Sequence, residues 1–244
     1  VLIHIGLLVA LKYTGFFGEN INSLLEVLGV SFRFKIPKII VPIGISFYTL
    51  QGLSYIIDVY KGKINADDNL GRLALFMAFF PSIMEGPICR YSDTSEALYD
   101  GKSLTYKNLS FGAQRILWGL MKKMVIADRL NPFIEKIFCE YSNLDGGVIL
   151  IGAIFYTIQL YMDFSGTIDV VIGSAEMFGI TLPENFRQPF FSKNISDFWT
   201  RWHITLGTWF RDYIFYPVSL SKPMKKVTLV SRKVLGNHYG PLLA

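Results

Sequence analysis

The sequence predicts an all-α protein built into a lipid bilayer as a polytopic transmembrane helical bundle, with re-entrant or interfacial helices beside the spans. Three observations carry that prediction. Of 244 residues, 51% are hydrophobic and only 18% are charged, against about 25% charged in soluble domains. The apolar residues fall in long runs, and run length separates membrane helices from soluble ones. Aromatics make up 15% of the chain, which suits the aromatic belts at membrane interfaces.

The elements follow in order. Residues 1–17 are apolar apart from His4 and Lys12 and read as the end of a spanning helix. The chain starts without methionine inside this run, so the sequence is expected to be a piece of a longer protein, truncated at both ends. Residues 19–35 are more polar, and Arg33, Lys35 and Lys38 lead into a second apolar run over residues 36–59. Pro42 and Gly44 lie inside that run, and a kinked membrane helix is expected there. Residues 61–72 read as a polar loop. Residues 70–81 are apolar until Pro81, Gly86 and Pro87 break the helix. Residues 82–90, carrying Glu85 and Arg90, therefore read as an irregular or re-entrant segment.

Residues 91–107 read as a polar surface loop. Residues 108–130 are amphipathic: Ile116, Leu117, Leu120, Met121, Met124 and Val125 share one face, while Arg115, Lys122 and Arg129 recur every seven residues on another. That pattern suits a helix in the interface or at the edge of the bundle, or a membrane-end helix with snorkelling cations. Residues 147–162 and 168–180 are strongly apolar on either side of Asp163-Phe164-Ser165-Gly166. A polar break over residues 183–193 precedes the aromatic-rich residues 195–220. The basic residues 222–233 are assigned to the cytoplasmic side by the positive-inside rule. Roughly five to seven membrane-embedded helices are expected, in a single domain over residues 1–244 with no internal repeat.

Several function classes are excluded. The net charge of +5 is spread along the chain and makes no nucleic-acid footprint. Cys89 and Cys139 lie in no CxxC or His/Cys spacing, so they read as packing residues, with no disulfide scaffold and no metal site. No Walker A loop, GxGxxG fingerprint, GxSxG elbow or HExxH pair occurs, which argues against a nucleotide-driven pump, a serine hydrolase and a zinc protease.

Three segments carry candidate chemistry. In residues 194–206, Asn194 or Ser196 can cap a helix and Asp197 can pair with Arg201 four residues on. On one continuous helix Trp199, His203, Leu206 and Phe210 would share a face, setting the imidazole in an aromatic, water-poor wall beside Trp202. Burial would lower the pKa of His203 and keep it neutral, as a general base for a hydroxyl requires. A histidine satisfied by a backbone carbonyl, or one at headgroup level, fits the spacing too.

The second segment holds Asp163, Ser165 and Asp169 within an apolar span, where charges need partners or a wet cavity. On a continuous helix the two carboxylates point about 240° apart. They converge only if Gly166 permits a break; otherwise Asp163 caps a half-helix and Asp169 pairs with an arginine. The third is Glu85 with Arg90, either an internal ion pair pinning the irregular segment or part of a polar tunnel lining. His4 and His238 stand in no motif and read as incidental.

Taken as an ordered set, these stretches resemble the membrane-bound O-acyltransferase family, in the branch of the alginate O-acetylases and the teichoic acid D-alanyl transfer proteins. The resemblance rests on Pro42-Ile43-Gly44-Ile45-Ser46-Phe47-Tyr48-Thr49 with Ser54-Tyr55-Ile56-Ile57-Asp58-Val59-Tyr60. It rests further on Phe79-Phe80-Pro81 with Glu85-Gly86-Pro87-Ile88, on residues 119–128, and on Asp163-Phe164-Ser165-Gly166 with Phe198-Trp199-Thr200-Arg201-Trp202-His203. It spans roughly residues 36–220.

The resemblance implies a multi-pass protein of the cell membrane, with helices ringed around a tunnel. It implies transfer of an acyl group, acetyl or D-alanyl, from a thioester donor to hydroxyls of a cell-envelope or extracellular polysaccharide. No bound cofactor is implied; the donor, acetyl-CoA or an acyl carrier protein, is a co-substrate. Membrane lipid, a polysaccharide acceptor, and an acyl-carrier protein or extracytoplasmic acyltransferase are the implied partners. His203 matches the family's Trp-His histidine and is the expected catalytic residue. Glu85, Arg90, Asp163, Ser165, Asp169, Trp199, Arg201 and Trp202 are expected along the substrate path or in its support. The family's second histidine, in a later apolar helix, has no match here, since His238 lacks that context. Two other readings compete. One is a transporter or flippase for an envelope precursor or acyl donor, with Asp163 and Asp169 at a midplane site. The other is a scaffold that recruits an enzyme through the Arg115/Lys122/Arg129 face.

Overall fold

The computed structural model describes residues 2–37, 39, 41–83, 85–101 and 103–239, the last nine of these as backbone only. Lys38 and the side chain of His238, named above, lie outside the described residues. The chain forms two compact units, Val1–Pro183 and Glu184–Ala244. Among the described residues every regular element is helical.

In the first unit, α1 (Leu2–Val27) is one continuous helix with a π-helical turn over Val9–Tyr13. A long irregular segment leads to α2 (Ile45–Tyr60). The kinked helix expected over residues 36–59 is not formed. Gly44 adopts φ of 76°, a left-handed conformation outside any α-helix, and α2 starts only after it. Asn69 caps α3 (Leu70–Met77), accepting from the backbone N–H groups of Gly71 and Arg72 at 2.9 and 3.2 Å. The short α4 (Phe80–Ile83) leads into the irregular segment, in which Gly86, Pro87, Ile88 and Cys89 are buried. Burial pushes the Cys89 thiol up to about 12, as for an inert packing cysteine. Cys139 is exposed, so the packing role expected of it does not hold.

Residues 91–107 do not form the expected loop. They contain α5 (Tyr91–Tyr99), whose Tyr91 ring packs on Tyr55 and Phe76 with centroids 4.9 and 5.2 Å away. Its polar outer face made a packed helix look like a surface loop. Thr105 caps α6 (Tyr106–Leu120), which runs through a π-helical segment, Met121–Ala127, into α7 (Asp128–Cys139).

The long α8 (Gly146–Met177) has 32 residues, or about 48 Å, more than the roughly 30 Å hydrocarbon core of a bilayer. It is continuous through Gly166, so no break brings Asp163 and Asp169 together and Asp163 caps no half-helix. Gly166 serves packing instead. A Cβ on Gly119 would sit 2.5 Å from the Gly166 carbonyl oxygen, and one on Gly112 would sit 2.5 Å from that of Gly173. These paired glycines let α6 and α8 approach backbone to backbone, as small residues do between membrane helices.

This helix pair is inside out relative to a soluble protein. Leu117, Trp118, Met124 and Val125 are exposed while Lys122 is buried. A soluble helix buries its apolar stripe against the core; here Arg115 and Lys122 face the neighbouring helix. Among the described residues two helices, α1 and α8, are long and apolar enough to cross a membrane.

The second unit contains α9 (Ile195–Arg201), α10 (Ile204–Phe210), a π-helical turn over Arg211–Phe215, α11 (Tyr216–Ser219) and α12 (Lys222–Tyr239). A 3₁₀ turn over Pro189–Phe191 precedes them.

Candidate functional site

The second unit builds its polar centre from one loop residue and one break between helices. Asn194 caps α9 by accepting from the Asp197 N–H at 2.8 Å. Asp197 takes the Arg201 guanidinium at 2.8 Å and the Lys193 N–H at 3.0 Å. The Arg201 hydrogen bond, followed by the Lys193 N–H, holds the Asp197 carboxyl below the usual carboxylate range.

Beyond Arg201 the helix stops. His203 has φ of 44° and ψ of 52°, a left-handed conformation uncommon outside glycine and worth a functional explanation. The continuous helix expected over residues 194–210 is therefore interrupted, and Trp199, His203, Leu206 and Phe210 do not share one helical face.

The cause lies in residues 185–187, which take over backbone groups near the junction. The Ile204 N–H donates to the Asn185 carbonyl at 3.0 Å, and the Arg187 N–H donates to the Arg201 carbonyl at 2.9 Å. The Asn185 side chain completes the arrangement. Its Oδ1 accepts from the Thr205 N–H at 3.1 Å and from the Thr205 hydroxyl at 3.0 Å, and it meets His203 Nδ1 at 3.1 Å. Asn185 is fully buried and His203 half-buried.

His203 lies outside α1 and α8. Burial pushes its pKa down to about 4, so the imidazole is neutral near pH 7. The aromatic setting comes from other rings than expected. Trp202 stacks on Phe198 at 5.6 Å and takes Phe186 edge-on at 5.0 Å. Trp199 is 61% exposed.

The first unit gathers a second set of charges between α6 and α8. Asp169 takes Arg115 at 3.0 Å and also the Lys122 ammonium. Lys122 donates to the Ser165 hydroxyl at 3.2 Å. Asp163 pairs with Lys123. Asp169 does pair with an arginine, as one of the two sequence readings had it. Of the basic face, Arg115 and Lys122 are turned to Asp169 of α8 while Arg129 stays exposed, and pairing suits cations beside an apolar helix, where an unpaired charge is costly. Glu85 is exposed, and Arg90 is half-buried at the start of α5. Among the described residues no three His, Cys, Asp or Glu side chains gather as metal ligands would.

Comparison with known proteins decides the family. Residues 69–232 match the membrane-bound O-acyltransferase family. The chain belongs to that family. Its members are membrane-bound, which agrees with the exposed apolar helices and with α1 and α8. A probable alginate O-acetylase of Azotobacter vinelandii is 41% identical over 204 residues, 84% of this chain and 40% of the relative. A peptidoglycan O-acetyltransferase of Helicobacter pylori is 34% identical over 241 residues, 88% of this chain and 45% of the relative. A teichoic acid D-alanyltransferase of Bacillus subtilis is 36% identical over 180 residues, 71% of this chain and 44% of the relative. The chain thus spans less than half the length of these curated relatives.

Within this member of the family, the second unit brings Arg201, Trp202 and His203 to one junction, and the first unit ties Asp163, Ser165 and Asp169 to the cations of α6 and the π-helical segment after it. Sequence reasoning missed Asn185, which stands in a loop 18 positions before its partner His203. No periodicity links two such positions. It also missed Lys123, although two carboxylates in an apolar span called for nearby cations.

Proposed function

We propose that the full-length protein is a multi-pass membrane O-acyltransferase that moves an acetyl or D-alanyl group from a thioester donor to hydroxyls of a cell-envelope polysaccharide. The observation that carries this reading is His203: a neutral imidazole, bonded through Nδ1 and presented at a helix break in a chain of this family. The family membership and the acyltransferase names of the relatives support the reaction class.

In this mechanism His203 Nε2 takes the proton of the acceptor hydroxyl as its oxygen attacks the thioester carbonyl. The tetrahedral intermediate collapses with loss of the thiolate, which receives the proton from the imidazolium. Acetyl-CoA or an acyl carrier protein is the donor, and an extracytoplasmic acyltransferase is a fitting partner for the polymer side of the reaction. Trp202 with Phe186 and Phe198 supplies a rigid apolar wall, while Asp197 and Arg201 stabilise the helix that ends at the histidine.

The test is acyl incorporation into envelope polysaccharide by the full-length protein and by His203→Ala. The variant is expected to lose turnover by at least about a hundredfold. Parent-like turnover in a variant that reaches the membrane in normal amount rejects His203 as the base. Movement of substrate across proteoliposomes with no acylated product supports the transporter reading instead.

A further inference from the structure

We propose that Asn185 is a positioning residue that fixes His203 in the tautomer with its proton on Nδ1 and its lone pair on Nε2. The proposal rests on the reading of His203 as the base, and it adds the residue that sets which nitrogen can act.

The geometry determines the amide orientation. The Thr205 backbone N–H can only donate, and it lies 3.1 Å from Asn185 Oδ1. The atom facing it must therefore be the amide oxygen. That same oxygen lies 3.1 Å from His203 Nδ1. An amide oxygen cannot donate, so the contact is a hydrogen bond only when Nδ1 carries the proton. In a neutral imidazole the lone pair is then on Nε2. The Thr205 hydroxyl, 3.0 Å from the same oxygen, holds the amide from a third direction.

Two further features single out an amide at this position. All three contacts fall on Oδ1, while Nδ2 is buried with no hydrogen-bond partner among the described residues. A stranded buried donor costs about 1–3 kcal/mol. An aspartate would accept the same three bonds without that cost, but it would set a buried negative charge against the ring and favour imidazolium. Asparagine accepts the proton without adding a charge, and so leaves the ring neutral. The same residue also shapes the backbone: its carbonyl holds the Ile204 N–H and its side chain holds the Thr205 N–H, the two residues that directly follow the left-handed His203. One buried side chain thus sets both the conformation and the protonation pattern of the imidazole.

The experiment uses membranes carrying the full-length protein, supplied with radiolabelled acetyl-coenzyme A or, in a parallel arm, with a D-alanyl carrier-protein thioester. Initial rates of polysaccharide acylation are read against pH. Asn185→Leu is expected to lower kcat by about a hundredfold or more with KM little changed. Asn185→Asp is expected to keep activity within about tenfold of the parent and to move the acid limb of the kcat profile upward by about one pH unit or more. The loss of kcat at little-changed KM in Asn185→Leu, with the protein present in membranes in normal amount, is the readout that a merely structural role would not give.

The outcomes separate. If His203→Ala is inactive while Asn185→Leu keeps kcat within about twofold of the parent, the positioning role falls and the base assignment stands. If His203→Ala is active, or neither donor yields product with the parent, the base reading falls and takes this proposal with it. If Asn185→Leu does not accumulate in membranes, Asn185→Asp decides, and an acid limb unmoved from the parent's overturns the proposal.

Discussion

Replacing Asp169 with asparagine keeps the side-chain shape and removes one charge from a site holding two cations. Arg115 lies 3.0 Å from the carboxylate and Lys122 is in direct contact with it. At an effective dielectric of about 20, opposite charges 3.0 Å apart attract by about 5.5 kcal/mol, and the desolvation of the partners cancels much of that. Removing one member of a buried pair typically costs about 3–5 kcal/mol, because the remaining charge stays buried. The Arg115 side chain is 31% exposed and can recover some hydration, whereas that of Lys122 is only 11% exposed, which places the cost near the lower bound, about 3 kcal/mol. For a protein about twice this length each kcal/mol moves the thermal midpoint by about 1–2 °C. Asp169→Asn is therefore expected to lower the midpoint of the detergent-solubilised full-length protein by about 3–6 °C, read by fluorescence-detected thermal aggregation. Adding Lys122→Met removes the more buried of the two stranded cations and should restore about half of the loss. A single variant within about 1 °C of the parent would refute the claim that this carboxylate anchors α6 to α8.

Gly119→Ala places a Cβ 2.5 Å from the Gly166 carbonyl oxygen and should destabilise by about 1–3 kcal/mol, seen as a lower thermal midpoint. Gly147→Ala is its control, since nothing lies within 4 Å of a Cβ there. Asn194→Ala removes the bond to the Asp197 N–H and should cost about 1 kcal/mol, with faster hydrogen exchange confined to the first turn of α9. His203 folded has a pKa of about 4, below its ordinary 6.5. The unfolded chain therefore binds more protons between those values, and stability rises with pH across that window. The histidine's contribution is complete above pH 6.5 and is lost as pH falls through 4. His203→Gln should flatten this part of the stability profile, with thermal midpoints against pH as the measurement.

The helical class was legible because apolar run length and composition report directly on the solvent a helix must meet. The start of α9 was legible too, since Asn194 and Asp197 are local signals acting within one turn. The helix break at His203 was not. It depends on Asn185 taking the two backbone N–H groups that follow the histidine, and such long-range competition leaves no mark in the spacing of residues 194–210. Asp163 and Asp169 were recognised as costly, but Gly166 was read as a point of weakness between them. In the fold it is a contact surface, and the charges are satisfied from the facing helix. The Arg115/Lys122/Arg129 stripe was ambiguous for a related reason: a period of seven is the same whether a cation faces water, as Arg129 does, or a partner helix, as Arg115 and Lys122 do.

That stripe has a bearing on how the protein is made. A segment carrying Arg115, Lys122 and Lys123 is poorly suited to enter hydrocarbon by itself, with each cation opposing transfer by about 2.5–3.5 kcal/mol. The carboxylates that neutralise them belong to α8, which emerges from the ribosome later. The pairing therefore waits for α8 to be made, and a chain halted between the two segments would carry these cations without the carboxylates that neutralise them.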